Sequence, residues 1–382
     1  MKKNSLKVGA GLFIIVTFTN VAYSQMLDTP IHNKSKFDFN ALYYYAIQEN
    51  VSKILATLDT IPDATLSNKE LEVKKNYFKR FRTQDERYNF NTNDQLIVNV
   101  ITIYQSYWKN VLLGKKPLKE ADKYLNLELS GYLYENYYKS EKIKRSVISR
   151  NPRKYLSQVL SKHGYYSNVS GRTGNLFDIY IWANEVRIDY NIKLSETTVK
   201  VPVNFMEEII TLGWEEYATF GNLCPGGWAT DSLLYCVKKG YDVQSEKFQV
   251  SYLTHEAQHF YDQNAYLYIS PSDLEYRAKL AQLSKAKETI YKTINGFING
   301  AKNNKKLYHP YAEYRVIRNL SRVIFHQEYV GDLEKWNNVS YVDINKNSDS
   351  LLKDNSGEFM MKISSFFAFC NGVRNIVIKR II

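Results

Sequence analysis

The chain has 382 residues, 44% of them apolar or aromatic, so it can bury one large core or two moderate ones. Its formal net charge is +12, but its basic residues are not clustered with stacking aromatics on one face, which argues against nucleic-acid binding. Three cysteines are too few for a disulfide scaffold, and without a CxxC pair zinc bound through thiolates is poorly supported.

The first 24 residues have the pattern of a cleaved export signal. Three lysines lie within the first seven residues, an apolar stretch follows over 8–21, and small residues stand at Ala22 and Ser24. The apolar stretch is shorter than the roughly 20 residues that a membrane span needs. We therefore predict that residues 1–24 are removed before Gln25, which leaves a periplasmic or secreted protein with no stable membrane span.

Residues 25–165 predict a mostly helical N-terminal lobe. Apolar side chains recur at helical spacing from Leu42 to Leu58 and again from Leu96 to Tyr104. A third amphipathic stretch covers 118–138. The role of this lobe does not follow from its sequence.

Residues 166–382 predict a domain of mixed secondary structure. Short stretches rich in isoleucine, valine and tyrosine indicate a small mixed sheet. The expected strands lie within 176–182, 186–192, 197–203, 233–237 and 248–253. Helices are expected over 206–217, 273–298 and 310–325. The predicted fold class is therefore α+β, with a helical C-terminal part.

The segment from His255 to His259 has the pattern His-Glu-x-x-His and follows the strand expected at 248–253. Two histidines four residues apart on a helix share one face, about 5–6 Å apart at Cβ, so both can bind one metal ion. Glu256 lies one step around the helix and can take a proton from a water molecule beside that ion. The alternative is an ordinary amphipathic helix with both histidines on its exposed face.

A catalytic zinc ion needs a third protein ligand and an open position. Asp262 lies too far along the helix from His255 to bind the same ion, so it is either an acceptor that orients an imidazole N–H or a solvated acid. Glu275, near the start of the next predicted helix, is the candidate ligand, with Glu288 in reserve. The alternative for Glu275 is a capping box over 272–275.

A glutamate on the helix after the paired histidines resembles the site of gluzincins, which are zinc metallopeptidases of the zincin class. The stretches 251–262 and 273–281 also resemble an uncharacterised family of exported bacterial zincins. The metzincin pattern is excluded, because Asp262 and Ala265 stand where that pattern has glycine and histidine.

The resemblance covers about residues 200–325 and implies a zincin-like catalytic domain within 166–382. It implies Zn²⁺ held by His255, His259 and Glu275.

The implied activity is hydrolysis of peptide bonds in a peptide or protein substrate, with Glu256 as the general base. Gluzincin-like sites use a histidine or tyrosine to stabilise the oxyanion, and His309 is the first candidate here, followed by Tyr308 and Tyr311. The alternatives are a zinc-binding envelope protein without catalysis, a zinc amide or ester hydrolase, and a helical adhesion or scaffold module. Neither cleavage specificity nor oligomeric state follows from the sequence.

Two further features leave alternatives open. Cys224 and Cys236 flank a Pro-Gly-Gly loop and either form a disulfide, which leaves Cys370 free, or are small apolar residues. Trp228 in the same loop either lines a substrate pocket or covers the core. The strand expected at 233–237 could bind a peptide by strand addition at the edge of the sheet.

Overall fold

The computed structural model describes residues 39–83, 92–169, 171–195, 197–230, 233–266 and 269–359. The predicted signal peptide and Cys370 lie outside these residues. The described residues combine many helices with a five-stranded sheet, which confirms the α+β class. Among them, no helix is both long and apolar enough to cross a membrane.

The chain divides into two compact units, which are described separately. Unit 1 comprises the described residues up to 187, together with 204–230 and 235–238. Unit 2 comprises residues 188–203, 231–234 and 239–382.

Unit 1 is mainly helical. Its α-helices are α1 Asn40–Ile47, α2 Val51–Asp59, α3 Asn68–Arg82, α4 Gln95–Leu112, α5 Leu118–Leu133, α6 Arg145–Arg150, α7 Pro152–Lys162 and α8 Gly213–Thr219. The helices predicted from Leu42 to Leu58 and from Leu96 to Tyr104 are present, and their apolar side chains enter one buried core. Side chains of Ser67 and Asp94 cap α3 and α4 by accepting backbone N–H groups of the first turn.

In the part of the chain that the structure describes, seven strands form two sheets. They are β1 Tyr166–Asn168, β2 Arg172–Thr173, β3 Leu176–Phe177, β4 Tyr180–Lys193, β5 Thr198–Leu212, β6 Gly227–Ala229 and β7 Leu234–Val237. The larger sheet has the order β1-β4-β5-β7-β6, and β2 pairs with β3. In β1, which is antiparallel to β4, Tyr166 lies opposite Trp182.

The helix predicted over 206–217 is wrong for 206–212, where β5 continues to Leu212, and is confirmed for 213–217, which belong to α8. Pairing within the sheet outweighs the local amphipathic pattern. The change of direction occurs at Gly213, which has φ +88°. A Cβ at that glycine would clash with the carboxylate of Asp178, whose Oδ1 accepts the N–H of Trp214 at 2.9 Å.

The structure around the Pro-Gly-Gly loop decides between the alternatives left open for Cys224, Cys236 and Trp228. Cys224 and Cys236 are free thiols, the first half-buried and the second buried, as expected of small apolar residues. Trp228 is buried and stacks on Tyr180, with 5.1 Å between ring centroids. Trp228 therefore covers the core of unit 1.

Unit 2 carries the His-Glu-x-x-His segment. Its helices are the π-helix Lys247–Thr254, α9 His255–Ala265, α10 Pro271–Leu283, α11 Ile290–Gly300, α12 Tyr308–Phe325, α13 Leu333–Asn337 and α14, residues 341–359. The predicted helix over 310–325 is confirmed as α12. Every side chain of α10 from Leu274 to Leu283 is buried, so this helix lies at the centre of the unit.

The strand predicted at 248–253 is wrong. This stretch belongs to the π-helix, which runs directly into α9. Phe248 and Tyr252, four residues apart, stack with 5.5 Å between ring centroids, as neighbours on one helical face do. Apolar alternation over so few residues does not distinguish a strand from a buried helix.

The single helix predicted over 273–298 is also wrong, because α10 and α11 are separate. Between them, the carboxylate of Glu246 accepts backbone N–H groups of Lys287, Glu288 and Thr289. These N–H groups belong to the turn that leads into α11 and to its N-cap, Thr289, so Glu246 satisfies the backbone donors of the break between the two helices.

Candidate metal centre

Helix α9 buries the His-Glu-x-x-His residues. His255 is 5% exposed, His259 is 6% exposed and Glu256 is fully buried. One ligand atom from each of the three lies within 4.8 Å of the others, which makes them a group that could hold a metal ion. The alternative that both histidines lie on an exposed helix face is therefore wrong.

Glu275 lies beside both imidazoles. Its Oε1 is 3.3 Å from Nε2 of His259, and its Oε2 is 3.7 Å from Nε2 of His255. The two Nε2 atoms are 3.1 Å apart. Tetrahedral coordination with bonds of about 2.0–2.1 Å separates ligand atoms by roughly 3.3–3.4 Å, so this spacing suits zinc.

The N-terminal cap of α10 does not use the side chain of Glu275, so that side chain can bind a metal ion. The N-cap is Ser270, whose hydroxyl accepts the N–H of Asp273. The capping box predicted over 272–275 is therefore wrong. Glu288, the reserve ligand, is exposed in the loop before α11, where its N–H donates to Glu246.

Several polar atoms of this centre have no hydrogen-bond partner among the described residues. They are both carboxylate oxygens of Glu256 and Nδ1 of His259. Buried polar atoms are nearly always paired, and unpaired ones call for an explanation. The unpaired oxygens of Glu256 lie beside the two imidazoles. Imidazole nitrogens and carboxylate oxygens are donors that zinc prefers.

Asp262 does not orient an imidazole of this centre. Its Oδ2 accepts the Nε–H of Arg277 at 2.9 Å, and its Oδ1 accepts an N–H of Gln258 at 2.9 Å. Nδ1 of His259 has no partner among the described residues. Asp262 is also fully buried, so the alternative of a solvated acid is wrong as well.

His309 reaches the centre from the first turn of α12. Its Nδ1 lies 2.9 Å from Oε2 of Glu275, and its side chain is 29% exposed. The ring of Tyr308 packs beside it, with 4.6 Å between centroids. Tyr311 packs elsewhere, against Tyr314 and beneath the guanidinium of Arg315.

Burial and neighbouring charges shift the pKa values in opposite directions. Burial raises the pKa of Glu256 to about 7, and burial together with the charge of His259 lowers the pKa of His255 well below its usual range. For His259, burial opposes protonation but the adjacent Glu275 outweighs it and raises the pKa to about 9. Burial likewise opposes ionisation of Glu275, yet the imidazoles of His259 and His309 hold its pKa well below the usual range.

Three charged residues close to this centre, Arg277, Lys279 and Glu313, were not predicted from the sequence. All three are buried, and each forms an ion pair with another helix of unit 2. In the sequence, Glu275, Arg277 and Lys279 alternate with uncharged residues, and only the structure shows that this helix is buried.

No family model, curated protein or solved structure matches the chain. The likeness to gluzincins therefore depends on the residues of the centre alone.

Proposed function

We propose that this protein is a zinc-dependent peptidase in which His255, His259 and Glu275 hold Zn²⁺. The observation that carries the proposal is the convergence of these three side chains from two helices, beside a carboxylate with two unpaired oxygens. A bound zinc ion would supply Lewis-acid chemistry, since it polarises a carbonyl group and makes a water molecule more acidic.

The residues around that ion suit peptide hydrolysis. Glu256 is buried and unpaired, so its carboxylate can accept a proton from the attacking water and return it to the leaving amine. Nδ1–H of His309 donates to the Glu275 carboxylate, so in the imidazolium form Nε2–H is the second donor, which can stabilise a developing oxyanion.

The proposal extends to the whole chain. Residues 166–382 would form a zincin-like catalytic domain and residues 25–165 a helical lobe. Residues 1–24 would be a signal peptide that directs the protein to the periplasm or beyond the cell. The substrate would be a peptide or protein.

The decisive experiment compares wild type with Glu256→Gln, which keeps the shape of the side chain but removes the base. We expect zinc content to stay at the wild-type level while peptide hydrolysis falls roughly 10²–10⁴-fold. Glu288→Gln is the matched control, because Glu288 is exposed at another place in the same unit. Equal hydrolysis by wild type and Glu256→Gln would refute the proposed role of Glu256.

A second candidate is a structural zinc site without catalysis. It is favoured by the 2.9 Å contact between His309 and Glu275, because a fourth protein ligand would close the coordination sphere. In that case zinc binds, no peptide, amide or ester substrate is hydrolysed, and His309→Ala releases the metal. Screening acyl-amide and ester substrates beside peptides also separates a peptidase from an amide or ester hydrolase.

A further inference from the structure

Helix α10 carries three buried charges at alternate positions, on Glu275, Arg277 and Lys279. The residues between and around them are buried too, so the helix has no solvent-facing side toward which a charge could turn. A buried charge is tolerated only when it is paired or binds a metal. Each of these charges therefore needs a partner on a neighbouring helix.

Arg277 joins α10 to two other helices. Its Nε donates to Oδ2 of Asp262 on α9 at 2.9 Å. On α14, its Nη1 donates to Oδ1 of Asn355 at 3.2 Å and its Nη2 to Oγ of Ser356 at 3.1 Å. Because Asp262 lies one turn beyond His259, this contact links the helix of the histidines to the helix of Glu275.

Lys279 joins α10 to α12. Its Nζ donates to Oε1 of Glu313 at 3.1 Å and lies 4.7 Å from the ring centroid of Phe297. Lys279 is four residues beyond Glu275, and Glu313 is four residues beyond His309. The Lys279–Glu313 pair therefore repeats the Glu275–His309 contact one turn further along both helices.

Such pairs contribute little to stability, since apolar replacements of a buried ion pair are often neutral or stabilising. Their effect is on geometry, because turning α10 about its axis would move all three charges into apolar contacts together. We infer that the Asp262–Arg277 and Lys279–Glu313 pairs are positioning elements that set the rotation of α10 and hold Glu275 in the zinc ligand set. This inference rests on the proposed zinc site.

The test replaces each pair by apolar residues of similar size in the full-length protein. One double variant is Asp262→Leu with Arg277→Met, and the other is Lys279→Met with Glu313→Leu. The matched control is Asp273→Asn with Arg315→Gln, which removes a partly exposed 2.7 Å ion pair that also joins α10 to α12. For each protein the Kd for Zn²⁺, the visible absorption of the Co²⁺ form and the thermal melt are measured.

We expect both buried-pair variants to melt cooperatively. The Tm of Lys279→Met with Glu313→Leu should lie near the wild-type value. Asp262→Leu with Arg277→Met should melt at a lower temperature, because Gln258 loses the acceptor of its buried N–H. In both variants the Kd for Zn²⁺ should rise about 10–100-fold, and the Co²⁺ absorption should change in intensity, because Glu275 is no longer held in place. The control should bind both ions as wild type does. Wild-type Kd values and spectra in both buried-pair variants would overturn the inference.

A second set of variants tests the inference in case the apolar double variants do not fold. These variants remove the charges but keep hydrogen-bonding groups, and they are judged by the same criteria. They are Asp262→Asn with Arg277→Gln, and Lys279→Gln with Glu313→Gln. A wild-type protein that binds neither ion refutes the proposed function and this inference together. Wild-type binding with unchanged variants refutes this inference alone.

Discussion

His309 and Glu275 lie 34 positions apart in the chain, yet Nδ1 of the imidazole is 2.9 Å from Oε2 of the carboxylate. The contact brings α12 to a centre whose other residues come from α9 and α10. Whether His309 stabilises an oxyanion or completes a metal site then depends on what its second nitrogen, Nε2, contacts during turnover.

Replacing His309 separates these two roles. If His309 acts on the substrate, His309→Gln should lower kcat by roughly 10²–10³-fold, as loss of an oxyanion donor does. Zinc stoichiometry should stay at the wild-type level, because His255, His259 and Glu275 remain. Steady-state kinetics and metal analysis on the same preparation check this. Loss of zinc from His309→Gln would instead identify His309 as a ligand.

The ligand assignment predicts which substitutions release the metal. His259→Ala and Glu275→Ala should each weaken zinc binding by more than the roughly 10–100-fold that loss of an outer-shell residue costs. Metal content after dialysis against a weak chelator measures this directly, with the exposed Glu288→Ala as the control. If Glu275→Ala keeps stoichiometric zinc while His259→Ala loses it, Glu275 is not the third ligand.

Zinc should also stabilise the folded protein. A ligand that binds only the native state adds about 4.1 kcal/mol at a free concentration of 1,000 times Kd. Zinc should therefore raise the Tm of unit 2 and a chelator should lower it, whereas the Tm of His259→Ala should respond to neither. Differential scanning calorimetry with and without zinc provides the measurement. A shift of equal size in His259→Ala would place the stabilising ion elsewhere.

Because Glu215 is buried, the stability of unit 1 should depend on pH, independently of the candidate metal centre. Burial, with the nearby charges of Asp178 and Glu49, raises the pKa of Glu215 to about 8. The folded state therefore holds this proton more tightly than the unfolded state, whose glutamates titrate near about 4.3. The resulting stability is fully present below that value and is lost as pH rises through about 8.

Glu215→Gln should remove this loss, because glutamine carries no titrating proton. At pH 9 we expect the variant to be more stable than wild type, by on the order of a few kcal/mol, with a smaller difference at pH 5. Thermal melts between pH 5 and 9 measure the effect, with the exposed Glu128→Gln as a control that keeps the wild-type profile. Parallel curves for Glu215→Gln and wild type would contradict the assignment.

Much of the fold was predictable where local periodicity and packing agree. The apolar side chains from Leu42 to Leu58 and from Leu96 to Tyr104 predicted helices, and these helices are present because one face of each is buried. The predictions failed over 206–212 and 248–253, where the pattern is short and a sheet partner or a π-helical turn decides the conformation. In a short stretch, the spacing of apolar residues does not determine which elements those residues pack against.

The same distinction between local pattern and tertiary packing applies to the candidate metal centre. The sequence by itself determined that His255 and His259 share one face and that Glu256 stands beside them, because four-residue spacing on a helix is a local property. Only the tertiary structure decided that Glu275 faces those imidazoles, that His309 contacts Glu275, and that Asp262 binds Arg277 instead of a histidine. Contacts between α9, α10 and α12 depend on how the helices are rotated and packed, and the buried charges of α10 constrain that rotation.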